Sequence, residues 1–81
     1  MPTVLRADGF NVRIYTNDHE PAHVHVFKAG GEAKVSLGID GQRPKLLEVT
    51  QGMSDRDAAR ALTIVKAHND ALLKRWRVIH E

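Results

Sequence analysis

The stretch Asp18-His19-Glu20-Pro21-Ala22-His23-Val24-His25-Val26-Phe27-Lys28 concentrates side chains that can do chemistry. His23 and His25 stand two apart and alternate with Val24 and Val26. On an extended strand this spacing sends both imidazoles out of one face, ~6.6 Å apart along the backbone, where opposed rotamers bring two ring nitrogens onto one ion. His19, across the Pro21 turn, supplies a third ligand. Asp18 or Glu20 can complete the set, or orient an imidazole from behind as a carboxylate partner. His19, His23 and His25 are therefore the candidate metal site, and their chemistry suits a divalent transition metal such as zinc, nickel or iron.

The same residues support two other readings. Neutral imidazole acts as a general base near neutral pH, and a neighbouring imidazolium steadies a phosphate. The catalytic candidates are then His23 and His25 with Arg13 and Lys34 on adjacent strands, a set adequate for metal-independent RNA cleavage. In the plainest reading the two histidines line a solvated strand face and His19 stabilises the turn. Several enzyme classes drop out. The histidine-triad nucleotide hydrolases resemble this stretch but need a third histidine where Phe27 stands. The glycine-rich AGGEAKVSLG lacks the Gly-Lys-Ser/Thr of a phosphate loop, and no serine has a nucleophile-elbow context. With no cysteine, neither a disulfide framework nor a thiolate zinc site is available. The balance leans away from an enzyme.

Elements that position these residues are legible in the hydropathy pattern. TVLR at 3–6 and FNVRIY at 10–15 read as strands around an Asp-Gly turn, with Phe10, Val12 and Ile14 on one face. TNDHEP breaks the pattern, AHVHVFK forms a third strand, and AKVSLG a fourth after a turn in which Gly30-Gly31 supplies positive backbone angles. KLLEVT at 45–50 is a shorter fifth strand. From Ser54, a helix cap, the period changes: Ala58, Leu62, Val65, Leu72, Trp76 and Ile79 make one apolar stripe along a helix over about 55–79, ~38 Å long. A break into two helices near His68-Asn69-Asp70 is the alternative, because Asn69 falls on that stripe and a buried amide must find a partner. One long helix is favoured.

The expected fold is α+β. An antiparallel meander of four or five strands, about residues 3–50, has one face covered by the helix, and residues 1–81 form one domain. Phe10, Val12, Ile14, Val24, Val26, Ala33, Val35 and Leu37 then face the helix, and His23, His25 and Phe27 face away from it onto an open sheet.

Charge and helix periodicity indicate two further surfaces. The formal net charge is +2, and residues 54–81 hold the whole surplus, with six basic and four acidic side chains. Arg56, Arg60, Lys74 and Arg77 share one helix flank that can follow a phosphate backbone. Away from the sheet, Ile64, Ala67, Ala71 and Val78 gather into a second apolar seam, which suits a partner protein or a second copy of the chain. Neither a leader-like start nor ~18 consecutive apolar residues occur, so a soluble cytoplasmic protein without a membrane span is expected.

MPTVLRADGF, NDHEPAHVHV, GGEAKV and SDRDAARALTIVKAHNDALLKRW together resemble a bacterial family of small proteins known as domain of unknown function 4160. The most specific element is H-x-P-x-H-V-H-V, here His19, Pro21, His23, Val24, His25 and Val26; family members usually carry a second proline where Ala22 stands. The resemblance implies a small α+β domain encoded in a two-gene, toxin-antitoxin-like module. It supplies no activity. The leading expectation is a binding component that engages a partner protein and, through its basic groups, nucleic acid; a small ribonuclease or a metal-binding domain is the alternative.

Overall fold

A computed structural model describes residues 3–80; Met1, Pro2 and Glu81 lie outside the described residues. Five strands, β1 (Thr3–Ala7), β2 (Phe10–Arg13), β3 (His23–Lys28), β4 (Gly31–Ser36) and β5 (Lys45–Val49), precede one helix, α1 (Asp55–His80). Each strand pairs antiparallel with its chain neighbour, giving the sheet order β1-β2-β3-β4-β5. This is the α+β meander and helix that the alternation and the period change predict.

Turn chemistry explains the short connections. Asp8 and Gly9 have φ of 53° and 82°, the paired positive angles of a tight two-residue hairpin. The β3–β4 turn uses Ala29 and Gly30, with φ of 50° and 83°, one residue earlier than the expected Gly30-Gly31. Gly31 instead begins β4 for a packing reason: a Cβ there would lie 2.5 Å from the backbone of Gly52 and Met53. Only a glycine lets the β5–α1 connection cross so close to the strand.

All eight residues expected on the helix-facing side of the sheet are buried, Val12, Ile14, Val24, Val26, Ala33 and Val35 completely. Against them lie Ala58, Ala61, Ile64, Val65, Leu72, Leu73 and Trp76 of α1, with Leu62 and Ile79 partly covered. The buried helix surface is wider than one stripe. Five strands at ~4.8 Å spacing are broader than a helix of ~10 Å, so a twisted sheet covers the helix flanks as well. Ile64, 6% exposed, is accordingly core, and the expected outward seam of Ile64, Ala67, Ala71 and Val78 is not formed as such. Ala67, Ala71 and Val78 are exposed.

Ser54 caps α1, its hydroxyl accepting the Asp57 N–H at 3.1 Å, and Asp55 and Asp57 occupy the first turn, where the helix dipole favours anions. α1 runs from Asp55 to His80 but is kinked where the sequence offers a break into two helices: His68 has φ −120° and ψ 16°. Next to it Asn69 finds the partner its position requires, accepting the Gly38 N–H at 2.8 Å and donating to the Gly38 carbonyl at 2.9 Å. Among the described residues no helix is long and apolar enough to cross a membrane.

Candidate metal centre

The candidate site is built on β3 and on the turn that precedes it. Alternation along β3 puts Val24 and Val26 into the core and His23 and His25 on the opposite, outer face. That face is not open at the histidines. His23 is 7% and His25 9% exposed, because the turn at residues 14–22 folds over them. Asp18 closes this turn twice: its N–H donates to the Tyr15 carbonyl at 3.2 Å, and its Oδ2 accepts the Tyr15 N–H at 3.2 Å. The Tyr15 ring then meets His25 edge-on at 4.8 Å, and the two imidazoles meet each other at 5.1 Å.

Each imidazole is held through Nδ1. His23 Nδ1–H donates to the Pro21 carbonyl at 2.8 Å, and His25 Nδ1–H donates to Glu32 Oε2 at 2.8 Å. Both Nε2 atoms thereby turn toward Asp18: His25 Nε2 is 3.1 Å from Oδ2 and His23 Nε2 3.6 Å from Oδ1. Glu32 is fixed in turn by Thr50, whose hydroxyl accepts the Glu32 N–H at 3.0 Å and whose N–H donates to the Glu32 carbonyl at 2.9 Å. Burial alone would push the Asp18 carboxyl up. The Tyr15 N–H, the His25 hydrogen bond and the charges of His25 and His23 outweigh it and hold Asp18 below its ordinary value.

One donor atom from each of Asp18, His23 and His25 lies within 4.8 Å of the others. Zinc bonds of ~2.0–2.1 Å in tetrahedral array put neighbouring ligand atoms about 3.3 Å apart. One oxygen, Asp18 Oδ1, lies 3.3 Å from His25 Nε2 and 3.6 Å from His23 Nε2, close to that spacing. Because a carboxylate only accepts, the 3.1 Å His25 Nε2–Asp18 contact needs either a proton on nitrogen or a cation between the two. The residues present fit a metal ion.

Of the expected metal candidates the structure brings His23 and His25 together. His19 is exposed on the turn and stands outside the cluster, while Asp18, considered as a completing or orienting carboxylate, lies inside it. Spacing alone cannot separate these neighbours, because the turn decides which one points inward. Of the catalytic candidates, Arg13 and Lys34 are the direct cross-strand neighbours of His25, so His23, His25, Arg13 and Lys34 do share the outer face. The Arg13 guanidinium covers the Phe27 ring at 4.6 Å, and Lys34 Nζ is 3.6 Å from Glu48. The supports Glu32 and Thr50 are not among the expected residues: the hydropathy pattern starts the fourth strand at Ala33, whereas β4 begins at Gly31 and carries Glu32 beside the histidines.

The four basic residues of the expected flank lie along α1, on both sides of His68. Arg56, Arg60, Lys74 and Arg77 are all exposed, but Arg60 is bound to Asp8 at 2.8 Å and the His68 irregularity separates the first pair from the second.

A family profile for a domain of unknown function, DUF4160, matches residues 9–77. The chain belongs to the DUF4160 family. That match spans β2 to most of α1, and so contains Asp18, His23, His25, Glu32 and Thr50 of this DUF4160 domain. No curated protein and no solved structure matches the DUF4160 chain.

Proposed function

We propose that this DUF4160 chain is a metal-binding domain that holds one divalent transition metal ion through Asp18, His23 and His25. The observation that carries this reading is the direction of the four ring nitrogens. Both Nδ1–H groups are engaged by fixed acceptors behind the rings, and both Nε2 atoms face one carboxylate. Metal-ligating histidines are held in this way, with the far ring N–H donating to a carbonyl or carboxylate. Three protein ligands leave a coordination position open, the pattern of reactive rather than purely structural sites, and two histidines with one carboxylate suit zinc or iron(II). A metal-free ribonuclease is supported less well, since it needs an imidazole nitrogen free to meet substrate. Isothermal titration with zinc on the purified, chelator-treated chain tests the reading. One-to-one binding at micromolar concentrations, lost in His23→Ala and Asp18→Ala, is expected; no heat with the folded wild-type chain overturns it.

A second reading concerns a partner. β5 is an edge strand, all five of its residues are exposed, and three of them are Leu46, Leu47 and Val49. An apolar sheet edge is where another chain adds a strand. We infer that a partner protein docks on β5, in keeping with the two-gene, toxin-antitoxin-like module that the family resemblance implies. Co-expression with the product of the adjacent gene followed by size exclusion should give a complex; a chain that elutes alone as a monomer would end this reading.

A further inference from the structure

The outer face continues past the histidines into two neighbouring hollows. One, of about 310 Å³, opens beside Asp18 and His23 and is bounded by His19, Lys34 and Leu47. The other, of about 160 Å³, opens beside His25 and Glu32 and is bounded by Lys34, Glu48 and Thr50. Lys34 lines both. It stands directly across from His25 in the β3–β4 register, so the two side chains leave the same face ~5 Å apart at Cβ.

The Lys34 ammonium is only loosely committed. Its carboxylate partner, Glu48, is 3.6 Å away, with a side chain that is 69% exposed. Such a pair is screened by water and is readily exchanged for a better partner. Two neutral imidazoles and one carboxylate around a dication leave a single positive charge at the metal. The open coordination position and the ammonium therefore attract the same kind of ligand from two sides.

Resting on the metal reading above, we propose that the open side of the Asp18, His23 and His25 site takes a small oxyanion, a phosphate or carboxylate group. One oxygen of that group binds the metal and another accepts a hydrogen bond from Lys34 Nζ. Glu48 competes with the ligand for Lys34. It acts as an internal stand-in for the anion, and removing its charge strengthens anion binding. Charge-assisted hydrogen bonds of this type are the strong ones, so loss of the ammonium has a measurable effect.

The test uses the full chain loaded with cobalt(II), whose visible bands report the coordination sphere. Inorganic phosphate and acetate are titrated separately, with perchlorate as an ionic-strength control. A saturable change with one anion or both is expected, the responding anion identifying the ligand class. The midpoint should be about tenfold weaker in Lys34→Gln, as for loss of a charge-assisted hydrogen bond, and tighter in Glu48→Gln. Cobalt bands that form normally in all three proteins but ignore both anions, or a Lys34→Gln midpoint equal to the wild type, overturn the oxyanion site and leave the metal site standing. Failure of the wild-type chain to develop cobalt bands overturns both.

Discussion

The side-chain amide of Asn69 and the backbone of Gly38 form a reciprocal pair, with Oδ1 accepting the Gly38 N–H and Nδ2 donating to the Gly38 carbonyl. A residue of the helix thus serves as the backbone partner for a buried glycine in the loop after β4. Gly38 has no room for anything larger, since a Cβ would meet the Gln42 carbonyl at 2.0 Å. Replacing Asn69 by Leu keeps an apolar surface toward the core but leaves both Gly38 groups unpaired. At about 1–3 kcal/mol for each unsatisfied group, a loss on the order of 2–6 kcal/mol is expected in urea denaturation. A loss under ~0.5 kcal/mol, the range of an ordinary surface substitution, would show that the pair contributes little.

Glu32 and His19 separate a supporting residue from a bystander. Glu32 reaches His25 Nδ1 and touches no candidate donor of the metal, so Glu32→Gln should weaken zinc binding by roughly 10–100-fold while one-to-one stoichiometry persists. His19→Ala should leave the affinity within about twofold, a change well under the tenfold that 1.4 kcal/mol represents. Equal loss in both variants would restore His19 to the ligand set.

Acidification should act on the metal-free chain through Asp18. Its folded carboxyl lies below its ordinary value, because the Tyr15 N–H and the two histidines outweigh the opposing effect of burial. A depressed folded value means the stabilising contribution is complete above the unfolded carboxyl value of ~3.9 and is lost as pH falls through the lower folded one. The stability gap between wild type and Asp18→Asn, measured by urea unfolding, should therefore narrow as pH is lowered below ~4. A gap that widens there would reverse the assignment.

Bound metal should stabilise the fold by mass action. Zinc at 100 times its dissociation constant adds about 2.7 kcal/mol, which in a domain of this size raises the melting temperature by roughly 10–20 °C. The shift should vanish with excess chelator and should be absent in Asp18→Ala. Since metal competes with protons for the Nε2 lone pairs, it should also shrink as pH falls.

Gly31 tests the close crossing of β4 by the β5–α1 connection. Gly31→Ala places a methyl 2.5 Å from Gly52 and Met53 backbone atoms, which cannot swing aside as a flexible side chain can. Gly30→Ala in the neighbouring turn meets no atom within 4 Å and is strained only by its φ of 83°. Thermal melts should show the larger loss at Gly31, of at least the ~1–3 kcal/mol typical of overpacking.

Strict alternation made the sheet readable in the sequence. Val24 and Val26 could face the core only if His23 and His25 faced away, and Asp8-Gly9 marked its hairpin by composition. Ile64 was misplaced because the apolar width of a helix depends on how much sheet curls around it, a quantity absent from helical periodicity. The burial of the histidines was equally hidden. It depends on a turn whose two hydrogen bonds between Tyr15 and Asp18 select Asp18 over its neighbour His19. Glu32 entered through register, lying seven residues from His25 in the chain and beside it only after the β3–β4 hairpin has formed.

Strand order that equals chain order also has a kinetic meaning. Every sheet contact closes a short stretch of chain, so β2, β3 and β4 can zip together as local hairpins at low entropic cost. Asp18, His23, His25 and Glu32 all belong to that stretch, whereas α1 packs on the opposite face. The candidate centre and the helix-covered core therefore belong to opposite faces of one sheet, and the chain segment that carries the centre is the meander alone.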